Sequence, residues 1–216
     1  MTTPEPHDST TDLLDDVLSG LDEMQTRAVT SPAPLLAIVA GAGSGKTSVL
    51  TRRVAHRALR GESDARHSVV LTFTRQASFE LKRRLRGFGL DEPPTAGTFH
   101  AISLALLRQK WDDEGRRHPT VISDRTRLVA EVLGEKRRGR LHDLVAEIDW
   151  ARARRLSPDE ISSAVKNAGR PSVGRDVAKV MSDVAALKRK RGVIDLDDLL
   201  DLVISSMDDP TFAAAT

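Results

Sequence analysis

The chain has 216 residues, 39% of them apolar and 30% charged, with a formal net charge of +2. That composition suits one globular domain or two small ones and excludes a wholly disordered chain. The absence of cysteine excludes disulfides and thiolate metal sites, and no run approaches the ~20 apolar residues of a membrane span.

Residues 1–12 are polar and read as a flexible tail without the basic start and apolar core of a signal peptide, so the expected location is the cytoplasm. Leu13, Leu14, Val17, Leu18 and Leu21 then give a helical face, and residues 24–29 add a further turn or two. SPAP at 31–34 breaks this helix. The apolar run 35–40 reads as a strand, because a glycine turn follows it. From Lys46 to about Leu59 the spacing becomes helical, with Val49, Leu50, Val54, Ala55, Ala58 and Leu59 in phase and Gly61 as the stop.

Residues 68–73 are rich in β-branched side chains and predict a second strand. A helix over 76–86 follows, with Ala77, Leu81 and Leu85 on one side. A turn at 93–99 leads into a short third strand, and 100–111 is helical again. Three strand–helix units in the first 110 residues specify an α/β chain with a mainly parallel sheet. Residues 112–192 are charged, helix-prone and strand-poor; SPDE at 157–160 has the form of an N-cap with a capping box. An amphipathic helix is predicted over 194–207.

Basic residues cluster at Lys82, Arg83, Arg84 and Arg86 and again at Lys188, Arg189, Lys190 and Arg191. Acidic residues gather at Asp12, Asp15 and Asp16 and at Asp195, Asp197 and Asp198. Such runs are ordinarily solvated helix faces. Rings that could stack on bases are few: five Phe, two Trp and no Tyr.

The chemistry is concentrated in AGAGSGKT, residues 40–47. It fits G-x-x-x-x-G-K-[ST] with Ala40 in the first glycine position and Gly45, Lys46 and Thr47 matching. Gly41, Gly43 and Gly45, with Ala42 and Ser44 between them, allow the backbone to curl until its N–H groups face phosphate oxygens. The helix that follows adds its own unpaired N–H groups and positive dipole end. Lys46 can reach the β- and γ-phosphates, and the Thr47 hydroxyl can ligate Mg²⁺. The motif alone leaves kinase, transporter ATPase, GTPase and helicase open.

Four more segments choose among these. LDEMQTRAV (21–29), LTFTRQASFELKRRL (71–85), AGTFHAISLALL (96–107) and RGVIDLDDLL (191–200) resemble superfamily 1A DNA helicases of the UvrD/PcrA/Rep kind. The resemblance covers roughly residues 18–215 and corresponds to the first part of such an enzyme. It implies a RecA-like P-loop NTPase fold, with an incomplete parallel sheet and an inserted all-helical subdomain. The implied division is a tail at 1–12, the N-terminal part of motor domain 1A at 13–111, an insertion like subdomain 1B at 112–192, and a return helix at 193–216.

The resemblance also implies ATP and Mg²⁺ as cofactors and single-stranded or partly duplex DNA as partner. The family activity is that of an ATP-dependent 3′–5′ helicase. Gln25 takes the place of the glutamine that reads the adenine edge, to which its amide can both donate and accept. Thr72, Phe73, Thr74 and Arg75 fall in the segment that touches single-stranded DNA, with Arg75 in place of the common Asn. Thr98, Phe99 and His100 fall in a second such segment. Ser48 replaces an Arg that often packs near adenine. Asp195, Asp197 and Asp198 are implied to be structural.

The family's magnesium carboxylate belongs to a VDEFQD-like motif that this chain does not reach. The expectation is therefore a chain that neither hydrolyses ATP nor unwinds DNA alone, is marginally stable, and exposes one flank of its 35–40 strand. The alternative is a standalone, non-catalytic module that binds DNA or protein in a nucleotide-dependent way. A small P-loop kinase accounts for neither the Gln25 segment nor TAGTFHA.

Overall fold

The computed structural model describes residues 9–134, 139–169 and 174–215. Of the expected tail, residues 1–8 lie outside the described residues, while 9–12 form the first turn of a helix. The chain divides into two compact units that meet in sequence between Ile102 and Ser103. Each is mostly helical and contains one small parallel sheet. No described helix is long and apolar enough to cross a membrane.

The first unit comprises α1 (Ser9–Leu18), α2 (Glu23–Thr30), α3 (Lys46–Leu59), β1 (Val69–Thr72), α4 (Arg75–Arg86), β2 (Thr95–Thr98) and the start of α5 (Phe99–Asp113). β1 and β2 pair in parallel from Val69 opposite Thr95 to Thr72 opposite Thr98. The two strands thus stop level; β2 runs directly into α5, and β1 reaches α4 after Phe73 and Thr74. Val70, Leu81, Leu85 and Ala96 form the core between sheet and helix, with Val54 of α3 packed against it.

Helix ends explain much of the local architecture. Asp22 caps α2 by accepting from the Gln25 N–H at 2.8 Å, and Gln25 Oε1 accepts from the Asp22 N–H at 3.2 Å, a reciprocal capping box. Thr74 caps α4 by accepting from the Ala77 N–H at 3.1 Å. At the other ends, two adjacent arginines of α3 serve as C-terminal caps. Arg52 donates to the carbonyls of Asp16 and Val17 in the last turn of α1 and of Ser19 just past it. Arg53 donates to the carbonyl of Ala28 in the last turn of α2 at 3.0 Å and to those of Ser31 and Ala33 past it at 2.6 and 2.9 Å.

The expected strand at 35–40 does not form. The segment bends at Leu35 and carries no regular secondary structure to residue 40, with Leu35 92% and Val39 96% exposed. A strand needs a ladder partner. Among the described residues, β1 pairs only with β2, and no strand lies along 35–40. The parallel sheet of this unit accordingly has two strands where three were expected.

The second unit holds the rest of α5, β3 (Thr120–Ile122), α6 (Thr126–Leu133), α7 (Leu141–Ala153), α8 (Pro158–Asn167), α9 (Gly174–Arg191), β4 (Val193–Asp195), α10 (Leu196–Ser206) and α11 (Pro210–Ala215). Leu128, Val129, Leu144, Ile148, Ile161, Val165, Val177 and Val180 knit α6 to α9 into one core. Leu107, Trp111 and Leu199 make a smaller one. The capping box at 157–160 is present, with Glu160 Oε2 accepting from the Ser157 N–H at 2.8 Å.

Residues 112–192, expected to be all-helical, are not. β3 lies within this stretch and pairs in parallel with β4, Val121 opposite Ile194. Three-residue strands are too short to show an alternation, and only the pairing reveals them.

Candidate functional site

The phosphate loop joins the unpaired 35–40 segment to α3. Gly43 and Gly45 both adopt the left-handed backbone, at φ 78° and 82°. Only glycine takes up that conformation without strain. Gly45 is the N-cap of α3, and no side chain caps this helix. Its first-turn N–H groups are therefore free to meet an anion, and the dipole favours one there.

Lys46 folds its ammonium back onto the loop, donating to the carbonyl of Ala40 at 2.8 Å and to that of Gly41. Ser44 Oγ donates to the Gly41 carbonyl at 2.9 Å and holds the loop curled. Thr47 is exposed beside Lys46, and Ser48 is half-buried. Glycine backbone, uncapped helix, ammonium and exposed hydroxyl are the donor set that a magnesium–triphosphate requires. On that chemistry, residues 41–47 fit a nucleotide's phosphates, with Thr47 as the side chain to hold Mg²⁺.

Gln25 is brought to this loop from α2. Its Nε2 donates to the Ser44 carbonyl at 3.2 Å. The same amide sits 3.1 Å from where a Cβ on Gly45 would stand. One N–H of the amide and one lone pair of its oxygen remain for a base edge.

Thr72, Phe73, Thr74 and Arg75 lie at the end of β1, and Thr98, Phe99 and His100 at the end of β2. The level ends of the two strands bring them together. The Phe73 and Phe99 rings sit 5.3 Å apart between centroids, tilted by 35°. Phe73 is 89% exposed and Phe99 37% exposed, so this ring pair faces outward and not into the core. Thr74 and Thr98 have parallel roles, each accepting from the N–H three residues on, Ala77 and Ala101. His100 is half-buried. Gly97 sits where a Cβ would come within 2.7 Å of Ile102 Cδ1, so a larger residue there would push the Ile102 side chain aside.

The three carboxylates of 195–198 belong to the second unit and are met by cations. Lys188 donates to Asp195 and, at 2.7 Å, to Asp198. Arg152 donates to Asp198 at 2.7 Å and to Asp201 at 3.2 Å, and Arg125 pairs with Asp197. Asp195 and Asp198 also form the capping box of α10. Burial raises the Asp198 carboxyl, but hydrogen bonds from Lys188 and Arg152 outweigh it and hold the group below its ordinary value.

Sequence reasoning missed Arg52 and Arg53, which fix α1 and α2 against the helix that carries the loop. Their signal is weak: arginines at consecutive helix positions look like any solvated pair.

Residues 21–215 match the UvrD/REP helicase N-terminal domain. The chain is 34% identical over 209 residues to the ATP-dependent DNA helicase UvrD2 of Mycobacterium tuberculosis, covering 86% of this chain and 29% of that protein. It is 30% identical over 207 residues to the ATP-dependent DNA helicase PcrA of Bacillus subtilis, covering 89% of this chain and 27% of that one. To DNA helicase IV of Escherichia coli it is 33% identical over 143 residues, 62% of this chain and 21% of that protein. The chain thus spans under a third of the length of these relatives. With the match running almost end to end, the chain belongs to the UvrD/REP helicase family through its N-terminal, ATP-binding domain.

Proposed function

We propose that this chain is the ATP-binding portion of an ATP-dependent DNA helicase acting in the cytoplasm. In this reading the N–H groups of 41–47 and the Lys46 ammonium hold the phosphates, Thr47 holds Mg²⁺, and Gln25 faces the adenine. When bound, Mg²⁺ neutralises phosphate charge and polarises the terminal phosphoryl group. Thr72, Phe73, Thr74 and Arg75, with Thr98, Phe99 and His100, form the surface for single-stranded DNA. The helicase activity belongs to a longer protein, of which residues 13–111 and 193–216 supply motor domain 1A and residues 112–192 the insertion.

The observation that carries this reading is the uncapped N-terminus of α3, with Lys46 folded over the loop and Gln25 anchored to it. The test is titration with a fluorescent ATP analogue and Mg²⁺, beside Lys46→Ala, with ATP turnover followed in the same samples. Saturable binding that needs Mg²⁺ and is lost in Lys46→Ala is expected. A well-folded chain that binds no nucleotide, or binds equally in the variant, overturns the reading.

A further inference from the structure

α4 carries a row of side chains that its packing does not use. Leu81 and Leu85 face the core, with Ser78 beside them. At 3.6 residues per turn, Arg75, Phe79, Lys82 and Arg86 fall within an arc of ~60° on another side of the helix. All four are exposed, and the Phe79 ring is 71% exposed. Such a ring gains nothing from the fold where it stands.

The charges along the row are also uncommitted. Glu80 is the one acidic residue of α4. It is taken up by Arg83 at 2.8 Å and Arg84 at 2.7 Å, which lie off the row. Among the described residues, no carboxylate pairs with Arg75, Lys82 or Arg86. The row therefore presents three free cations with one aromatic ring between the first and the second. It is ~16 Å long, at ~1.5 Å per residue. Its N-terminal end follows directly on Phe73 and Thr74 at the end of β1.

We infer that this outer face of α4 binds single-stranded DNA, with Arg75, Lys82 and Arg86 on phosphates of one strand and Phe79 stacked on a base. The inference rests on the DNA reading proposed above and extends its surface from the strand ends along the whole of α4. Charge complementarity selects a polyanion. The ring selects an unpaired strand, because a duplex keeps its base faces stacked inside and offers Phe79 nothing to cover it. The cations supply the salt-dependent part of the affinity, and the ring supplies a part that salt does not screen.

The test is fluorescence anisotropy of labelled oligodeoxythymidylate with the full chain across a series of salt concentrations. Lys82→Ala/Arg86→Ala is expected to reduce the slope of log K on log salt by roughly 0.7 for each lost phosphate contact. Phe79→Ala is expected to weaken binding about five-fold or more at an unchanged slope. Arg83→Ala, whose charge is spent on Glu80, serves as the control. All these side chains are exposed, and circular dichroism checks that each variant is folded. If the row variants keep the wild-type slope and affinity while Phe73→Ala loses affinity, the α4 inference fails and the strand-end surface stands. A wild-type chain that binds no oligonucleotide removes both. Equal affinity for a blunt hairpin duplex, with Phe79→Ala silent, overturns the assignment to an unpaired strand.

Discussion

The side-chain amide of Gln25 donates to the carbonyl of Ser44 across 19 residues of sequence, at 3.2 Å. One residue thereby closes the capping box of α2 and braces the phosphate loop. Loop and helix are coupled at the place where a base edge and a triphosphate would meet.

The two halves of that amide can be separated. Gln25→Glu keeps an oxygen to accept from the Asp22 N–H, so α2 keeps its cap, but it loses the donor to Ser44. Nucleotide affinity is expected to fall about ten-fold, with stability changed by less than about 1 kcal/mol. Gln25→Ala removes both bonds and is expected to cost about 1 kcal/mol of stability as well. Titration with a fluorescent ATP analogue and urea unfolding measure the two effects. Wild-type affinity in Gln25→Glu would show that the brace has no part in binding.

Arg53 fixes the end of α2 by giving its guanidinium to the carbonyls of Ala28, Ser31 and Ala33. Burial lowers its pKa, and neighbouring Arg57 adds to that. Arg53→Met keeps most of the apolar stem and leaves these carbonyls without their donor. A loss of about 1.5–3 kcal/mol is expected, the range for a bond to a charged group. Arg53→Lys is expected to recover only part, because an ammonium cannot fork between Ser31 and Ala33 as two guanidinium nitrogens do. The urea midpoint of the first unit reads this directly, and full recovery by Lys contradicts it.

In the second unit, Lys188 and Asp195 are 7% and 3% exposed and bonded to each other. Lys188→Met strips the cation from Asp195 and Asp198 together. The expected loss is about 3–5 kcal/mol, since a buried carboxylate is left short of charge. The pH dependence has a definite sign. Lys188 and Arg152 hold the Asp198 carboxyl below its ordinary 3.8, so its contribution is complete above that value and is lost as pH falls through the lower folded value. Acid unfolding of the wild type below about pH 4 should be blunted in Asp198→Asn. An acid transition of undiminished steepness in that variant is the contrary result.

How much of this was legible beforehand depends on whether the determinant is local. The loop, its glycines and the helix after it follow from residues 40–59 alone, because the N-terminus of a helix and the conformations open to glycine are short-range properties. The capping box at Ser157 and Glu160 is equally local. The 35–40 segment misled because apolarity says that a run wants burial, whereas strand formation depends on a neighbour elsewhere in sequence. β3 and β4 were invisible for the same reason in reverse: Val121 and Ile194 pair across 73 positions in three-residue strands. The Phe73–Phe99 pair is likewise a product of register, since it arises only because β1 and β2 end level. The arginine clamps from α3 were missed because one surface arginine looks like another until its carbonyl partners are placed.

His56 offers a last test, on the back of the same helix. It is 6% exposed, and its Nδ1 is buried without a hydrogen-bond partner among the described residues. Burial lowers its pKa below 6.5, and the positive Arg60, with Arg53 and Arg57, lowers it further against the opposing charge of Glu62. A base whose folded pKa is lowered takes up a proton more readily when unfolded. Stability is therefore undiminished above about 6.5 and falls as pH drops from there toward the folded value. His56→Leu removes both the orphaned nitrogen and the titration, at similar volume. The variant should be at least as stable as the wild type at pH 7, because no made bond is lost. Its urea midpoint should also change less between pH 6.5 and pH 5 than that of the wild type. Equal slopes in the two proteins would mean that His56 takes up its proton as readily in the folded chain as in the unfolded one, because a partner reaches its ring on protonation.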